Sequence, residues 1–223
     1  MLADRIHVVY EDDAVIVVEK PAGLLTMATD KEKSRTVYAL LRESANRKRP
    51  AEKIFIVHRL DREASGLLVF AKTIEAKERL QDQFKDHSAG RKYVAVVEGR
   101  VSPEKFTIQS YLAENAAFRV YSTKKKALGK IAITHVRVIR TNPNASLIEV
   151  RLETGRKHQI RVHLAERGHP IVGDKMYGSG LNRLRRLALH AAELGFRHPV
   201  TGQVMRFEAP VPKSFGGLVR NAG

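Results

Sequence analysis

Two stretches gather ionisable side chains beside glycine. His58-Arg-Leu-Asp-Arg-Glu-Ala-Ser-Gly66 sets one carboxylate, Asp61, between Arg59 and Arg62, and Glu153-Thr-Gly-Arg-Lys-His-Gln-Ile-Arg-Val-His163 groups Arg156, Lys157, His158 and Arg161. A carboxylate flanked by cations stays ionised because neighbouring positive charge favours the anion, and an ionised carboxylate can serve as nucleophile or base. An Asp so placed can equally cap a turn or join a surface ion pair. The second stretch suits recognition of an anion, and an Arg within it can pair with a carboxylate brought from elsewhere in the fold.

Other chemistries are excluded or unsupported. There is no Cys, which removes disulfides, thiolate nucleophiles, zinc fingers and iron–sulfur clusters. His158 and His163 lie at the wrong spacing for two ligands on one helical face, and no acid accompanies them, so no metal site is expected. Gly178-Ser-Gly180 is neither a dinucleotide fingerprint nor a Walker loop, and Ser65 lacks the context of a nucleophile elbow. Glu11-Asp12-Asp13, the nearest acidic cluster for a metal-dependent nuclease, falls in a turn.

The elements that must hold these stretches are mostly strands. Ile6 to Tyr10 and Ala14 to Glu19 form a hairpin that stops at the turn Lys20-Pro-Ala-Gly23. Val37, Leu40 and Leu41 at helical spacing, opened by Ser34 or Thr36, predict a helix ending in Arg47-Lys48-Arg49 before Pro50. Ile54 to His58 and Leu67 to Ala71 read as strands, and Glu75 to Lys85 as a helix with Ala76, Leu80 and Phe84 four apart. Arg91 to Glu98, Phe106 to Tyr111, Ile131 to Ile139 and Leu147 to Leu152 are further strands, and Leu187 to Leu194 and Val204 to Phe207 further apolar segments. A helix from about Lys157 to Glu166 would turn Lys157, His158 and Arg161 to one side. The expectation is one α+β domain over residues 1–223, with a mixed, mainly antiparallel sheet and flanking helices.

Charge points to the partner. Forty Lys and Arg against 24 Asp and Glu leave +16 over 223 residues, an imbalance that suits a polyanion. Residues 1–100 hold 19 cations and 16 anions, and residues 101–223 hold 21 and 8, so +13 of the excess lies in the second part. Such a surface binds nucleic acid by releasing counterions. With no Trp and 8 Phe plus 6 Tyr, stacking of single strands is not the main theme. The longest apolar runs are about five residues against the roughly 18 of a membrane span, and Met1 to His7 lacks the apolar run of a secretory signal; a cytoplasmic protein without membrane contact is expected.

The two stretches, with Lys20-Pro-Ala-Gly-Leu-Leu25, Arg91-Lys-Tyr-Val-Ala95, Gly168-His-Pro-Ile-Val-Gly-Asp174, Leu189-His-Ala191 and Phe196-Arg-His-Pro199, resemble the RluA-type pseudouridine synthases in content and order over nearly the whole chain. The resemblance implies an enzyme that isomerises selected uridines of structured rRNA or tRNA to pseudouridine, without cofactor or metal. It also implies that family's fold, with a central RNA-binding cleft. Asp61 matches the family's essential aspartate, Tyr93 its active-site tyrosine, Arg161 the arginine that pairs with the aspartate, and Arg59 the residue that fills the gap left by a flipped base. His58, Arg62, Arg156, Lys157 and His158 match supporting RNA contacts. Ala64 stands where the family usually has Thr, which loses a hydroxyl beside the loop. Only 19 residues precede Lys20, so the chain is expected to lack the S4-type domain of many relatives. Nothing in the pattern suggests a coiled coil or an exposed apolar stripe, and a monomer is expected.

The residues leave the route open. Asp61 can attack C1′, attack C6 of the base, or remove the C2′ proton. Tyr93 can pack against uracil or help remove the C5 proton, although an ordinary phenol with a pKa near 10 is a weak base. A catalytically inactive RNA-binding protein of the same fold is the competing expectation.

Overall fold

A computed structural model describes residues 6–30, 32–48 and 52–220. In chain order the elements are β1 (His7–Glu11), β2 (Val15–Lys20), α1 (Val37–Lys48), β3 (Phe55–Ile56), β4 (Ser65–Ala71), α2 (Ile74–Lys85), β5 (Gly90–Glu98), β6 (Lys105–Glu114) and β7 (Val120–Thr123). They continue with β8 (Lys130–Thr141), β9 (Ala145–Leu152), α3 (Gln159–Glu166), β10 (Leu189–Arg197), β11 (Val204–Glu208) and α4 (Lys213–Leu218). The chain divides into two compact units: residues up to Gly90 with Ala191–Ala209, and Arg91–His190 with the residues from Pro210 on.

In the first unit the strand order is β1-β2-β4-β10, with β3 on β4 and β11 on β10. The β1–β2 hairpin pairs His7 with Glu19, and β2 runs antiparallel to β4 from Val15↔Ala71 to Lys20↔Gly66. All seven residues of β4 are buried, which is why Leu67 to Ala71 is a continuous apolar run. Val15, Val17, Leu67 and Val69 pack with Ala76 and Leu80 of α2 and with Leu194 and Phe196 of β10. Thr36 opens α1 by accepting from the N–H of Ala39 over 3.0 Å, and Thr73 opens α2 through the N–H of Ala76, each satisfying an otherwise orphaned helix donor. Arg49 and Pro50, where the first helix was expected to stop, lie outside the described residues.

In the second unit β5-β9-β8-β6-β7 follow one another in antiparallel pairs. Tyr93 sits opposite Val150 and Lys92 opposite Arg151. Helix α3 packs Val162 against Leu112, Val120 and Ala132. Residues 168–188 are stitched to β5 by main-chain bonds from Glu98 N–H to the Pro170 carbonyl, Val172 N–H to the Val96 carbonyl and Val96 N–H to the Ala188 carbonyl.

Four elements differ from expectation. β3 is two residues long, because the Val69 N–H that a longer ladder would use is taken by the His58 imidazole. α3 begins at Gln159, because His158 has φ +53 and cannot belong to a right-handed helix; Lys157 and His158 therefore do not share a helical face with Arg161. β7 and α4 carry no strong pattern: β7 reads Val-Tyr-Ser-Thr, and α4 contains Gly216-Gly217, poor helix formers. Phe215, fully buried beneath the Arg186 guanidinium, anchors α4.

Candidate active site

Asp61 stands on the loop between β3 and β4, and the main chain on both sides of it is tied down. Before it, the Thr26 hydroxyl accepts from the Leu60 N–H over 3.1 Å and donates to the Leu60 carbonyl over 2.9 Å. After it, the Arg62 carbonyl accepts from the buried Lys20 ammonium over 2.9 Å and from the Gly23 N–H over 2.8 Å. The Arg62 Nε in turn donates to the Gly23 carbonyl, and the Ala64 N–H donates to the Asp61 carbonyl over 3.2 Å. Lys20 also donates to the carbonyls of Pro21 and Leu24. A short loop with this many fixed main-chain atoms holds its carboxylate on a defined backbone.

The flanking residues divide by exposure. Asp61 is half-buried, while Arg59 and Arg62 are exposed. His58 is stacked on Phe84 at 4.3 Å between ring centroids and accepts from the Val69 N–H, so it holds the loop's entry. Where the chain enters β4, Gly66 has φ +112, and a Cβ there would lie 2.2 Å from the Ala191 carbonyl oxygen; the approach of backbone to backbone requires glycine. Ala64 is buried.

In the second unit Tyr93 is buried on β5. Arg91, two residues earlier, donates to the Glu153 carbonyl over 3.3 Å. Burial pushes its guanidinium pKa below the ordinary value, with Tyr93 acting against that shift and Arg156 with it. Gly155 permits this arrangement, since a Cβ would lie 2.3 Å from Arg91 Nη1.

Arg161 is buried on α3. Its Nε donates to Asp174 Oδ2 over 2.7 Å and its Nη2 to Asp174 Oδ1 over 2.8 Å, and its guanidinium carbon lies 5.1 Å from the Tyr177 ring centroid. His158 joins this group, with Nδ1 2.9 Å from the Tyr177 hydroxyl and the two rings edge to face. Arg156 donates from Nε to the Ile131 carbonyl, and Lys157 pairs with Glu114 and lies over the Phe118 ring. The basic stretch thus splits: His158 and Arg161 converge on Tyr177, while Arg156 and Lys157 reach β8 and the β6–β7 turn.

Sequence reasoning missed Asp174, Tyr177, Lys20 and Thr26. Asp174 and Lys20 each stand in a motif that carries the resemblance, Lys20 also at the start of a turn, and the sequence assigns neither a role. A lysine closing the strand Val-Ile-Val-Val-Glu-Lys was the available signal. The acidic cluster proves structural in part: Asp12 accepts the N–H groups of Ala14 and Val15 and pairs with His198. Among the described residues no group of three or more His, Asp or Glu is placed to hold a metal ion.

The sequence model of the RNA pseudouridylate synthase family matches residues 14–166. The chain belongs to that family. As an RNA pseudouridine synthase it is an enzyme, and its matched span contains the Asp61 loop, Tyr93 and Arg161. It is 40% identical to the ribosomal large subunit pseudouridine synthase D of Zymomonas mobilis, over 93% of this chain and 70% of that one. An uncharacterized RNA pseudouridine synthase of Bacillus subtilis is 36% identical over 97% of this chain and 72% of its own. The solved structure of human RNA pseudouridylate synthase domain containing 4 superposes with a TM-score of 0.80, covering 96% of this chain and 93% of that one at 22% identity. That likeness establishes the pseudouridine synthase fold, α+β with a mixed, mainly antiparallel sheet.

Proposed function

We propose that this pseudouridine synthase acts in the cytoplasm, as a monomer, on uridines in structured ribosomal or transfer RNA, and that Asp61 is its essential carboxylate. The observation that carries the reading is the Asp61 loop, tied at Leu60 by Thr26 and at Arg62 by Lys20 and Gly23. Relatives named as ribosomal large subunit pseudouridine synthases support a ribosomal substrate, and the +16 charge supports a polyanion. Among the described residues no helix is long and apolar enough to cross a membrane.

The isomerisation breaks the N1–C1′ bond, turns the uracil, joins C5 to C1′ and removes the C5 proton while N1 gains one. A detached base must be held against the ribose throughout, and a base within a stem must first leave its stack. In this reading exposed Arg59 fills the space vacated by the flipped base, and Asp61 and Arg161 act as the carboxylate and the arginine of the reaction. Tyr93 faces the uracil. His58, Arg62, Arg156, Lys157 and His158 support the loop and the RNA.

Asp61→Asn tests the assignment. The variant is expected to bind RNA as the wild type does and to release no tritium from 5-tritiated uridine in RNA; turnover near the wild-type rate overturns the role of Asp61. Absence of turnover by the wild type on total ribosomal and transfer RNA would favour a binding protein without catalysis. Mapping pseudouridine in both RNA classes from cells with and without the protein identifies the substrate.

A further inference from the structure

We infer that Asp174 and Tyr177 are positioning residues that set the plane and direction of the Arg161 guanidinium before RNA arrives. This rests on the assignment of Arg161 to the reaction. The contact between Arg161 and Asp174 is a side-on fork of two charge-assisted hydrogen bonds, 2.7 and 2.8 Å long, to the two oxygens of one carboxylate. Such a pair fixes the rotation of the guanidinium as well as its location, because both N–H vectors must stay in the carboxylate plane. Arg161 is 5% exposed and Asp174 2%, so little water competes for either group.

Asp174 is itself held. It caps the 3-10 turn Lys175–Tyr177 by accepting from the Tyr177 N–H, and its backbone follows Gly173, where φ is +84 and a Cβ would lie 2.1 Å from the Arg186 carbonyl oxygen. The same turn carries Tyr177 to the guanidinium, at 5.1 Å from the ring centroid, where the π face attracts the cation. The Tyr177 hydroxyl accepts from the Val120 N–H over 3.2 Å and meets His158 Nδ1 at 2.9 Å. His158 reaches that point through its left-handed backbone at the head of α3. Arg161 is therefore constrained by a carboxylate along one edge and an aromatic ring nearby, both delivered by one short turn. A free arginine has several rotatable bonds to order when substrate binds; here that ordering is complete beforehand.

The test is steady-state kinetics of Asp174→Asn and Arg161→Lys, singly and together, with RNA affinity measured separately by filter binding. Asn keeps the size and the cap of Asp but presents an amide N–H to an arginine N–H. Asp174→Asn is expected to lower kcat by up to about a hundredfold while KM and RNA affinity stay within about twofold. The double variant should be no slower than Arg161→Lys alone, since a residue acting only through Arg161 has nothing left to position. Additive losses, or a wild-type kcat in Asp174→Asn, overturn the inference. A wild-type kcat in Arg161→Lys and in Arg161→Met overturns instead the role of Arg161 on which it rests. If Asp174→Asn does not fold, Tyr177→Leu serves the same comparison: it removes the ring beside the guanidinium and leaves the fork, and it too must lower kcat without adding to Arg161→Lys.

Discussion

The buried ammonium of Lys20 donates to the main-chain carbonyl of Arg62, 42 residues later, over 2.9 Å. That carbonyl immediately follows the residue proposed to do the chemistry, so a lysine at the end of β2 sets the backbone that carries Asp61. Lys20→Met keeps the stem and removes the charge, leaving the carbonyls of Pro21, Leu24 and Arg62 without this donor. A loss of about 2–3 kcal/mol is expected from hydrogen bonds to a charged group, read as a lowered urea midpoint, with a fall in turnover larger than any change in RNA affinity.

Thr26 is the counterpart on the other side of Asp61. Thr26→Val is close in shape but leaves both the N–H and the carbonyl of Leu60 without a partner in a buried setting, at a cost of about 1–3 kcal/mol. Thr26→Ser retains the hydroxyl and should retain most of the activity. Turnover in Thr26→Val equal to that in Thr26→Ser would show that the clamp has no bearing on catalysis.

Gly66→Ala should be severe. The added Cβ falls 2.2 Å from the Ala191 carbonyl oxygen, which is main chain and cannot rotate away, and φ is +112. Destabilisation above about 2 kcal/mol follows from strain together with displacement of β10. Thermal unfolding measures it, and a melting temperature within about one degree of wild type would contradict the close approach.

His163 gives the stability a dependence on pH. Its ring lies between the Thr134 and Ser110 hydroxyls, 2.9 Å from each, and burial lowers its pKa from 6.5 to about 4, with Glu166 opposing. The folded state binds this proton less readily than the unfolded one. Its contribution is complete above the unfolded pKa and is lost as pH falls through the interval from 6.5 to about 4. Between pH 7 and pH 5 the loss amounts to about 2 kcal/mol. Urea denaturation at the two pH values should show a smaller difference in His163→Gln, which bonds to hydroxyls but does not titrate.

Arg59 is exposed, so Arg59→Ala should leave stability within about 0.5 kcal/mol. Its effect belongs to base flipping: poor turnover on a structured stem-loop and near-normal turnover on a uridine already unstacked. Equal loss on both substrates would remove Arg59 from the flipping step.

Periodicity made most of the fold readable. The alternation and apolar runs of β2, β4, β5, β8 and β9 report burial directly, since each strand must hide one face or both. α2 was legible from Ala76, Leu80 and Phe84 four apart. β7 was not, because four residues with few apolar positions carry too little pattern, and the start of α3 was misread because a left-handed histidine leaves no mark in a helical periodicity. Of the site, Asp61, Tyr93 and Arg161 stood out through the charge around them and through motifs shared with a family. Asp174 stands in such a motif without a role and Tyr177 lies outside all of them, since nothing local says that a carboxylate 13 residues on will meet Arg161.

The sequence by itself determined the α+β class, the basic character of the second half and the family, because composition, period and motif order are properties of the chain. Only the tertiary structure decided which atoms hold the Asp61 loop and the Arg161 guanidinium. Lys20 reaches Arg62, Thr26 reaches Leu60 and Asp174 reaches Arg161 through hydrogen bonds that need alignment to within tenths of an ångström. Alignment of that kind exists only after distant segments have packed.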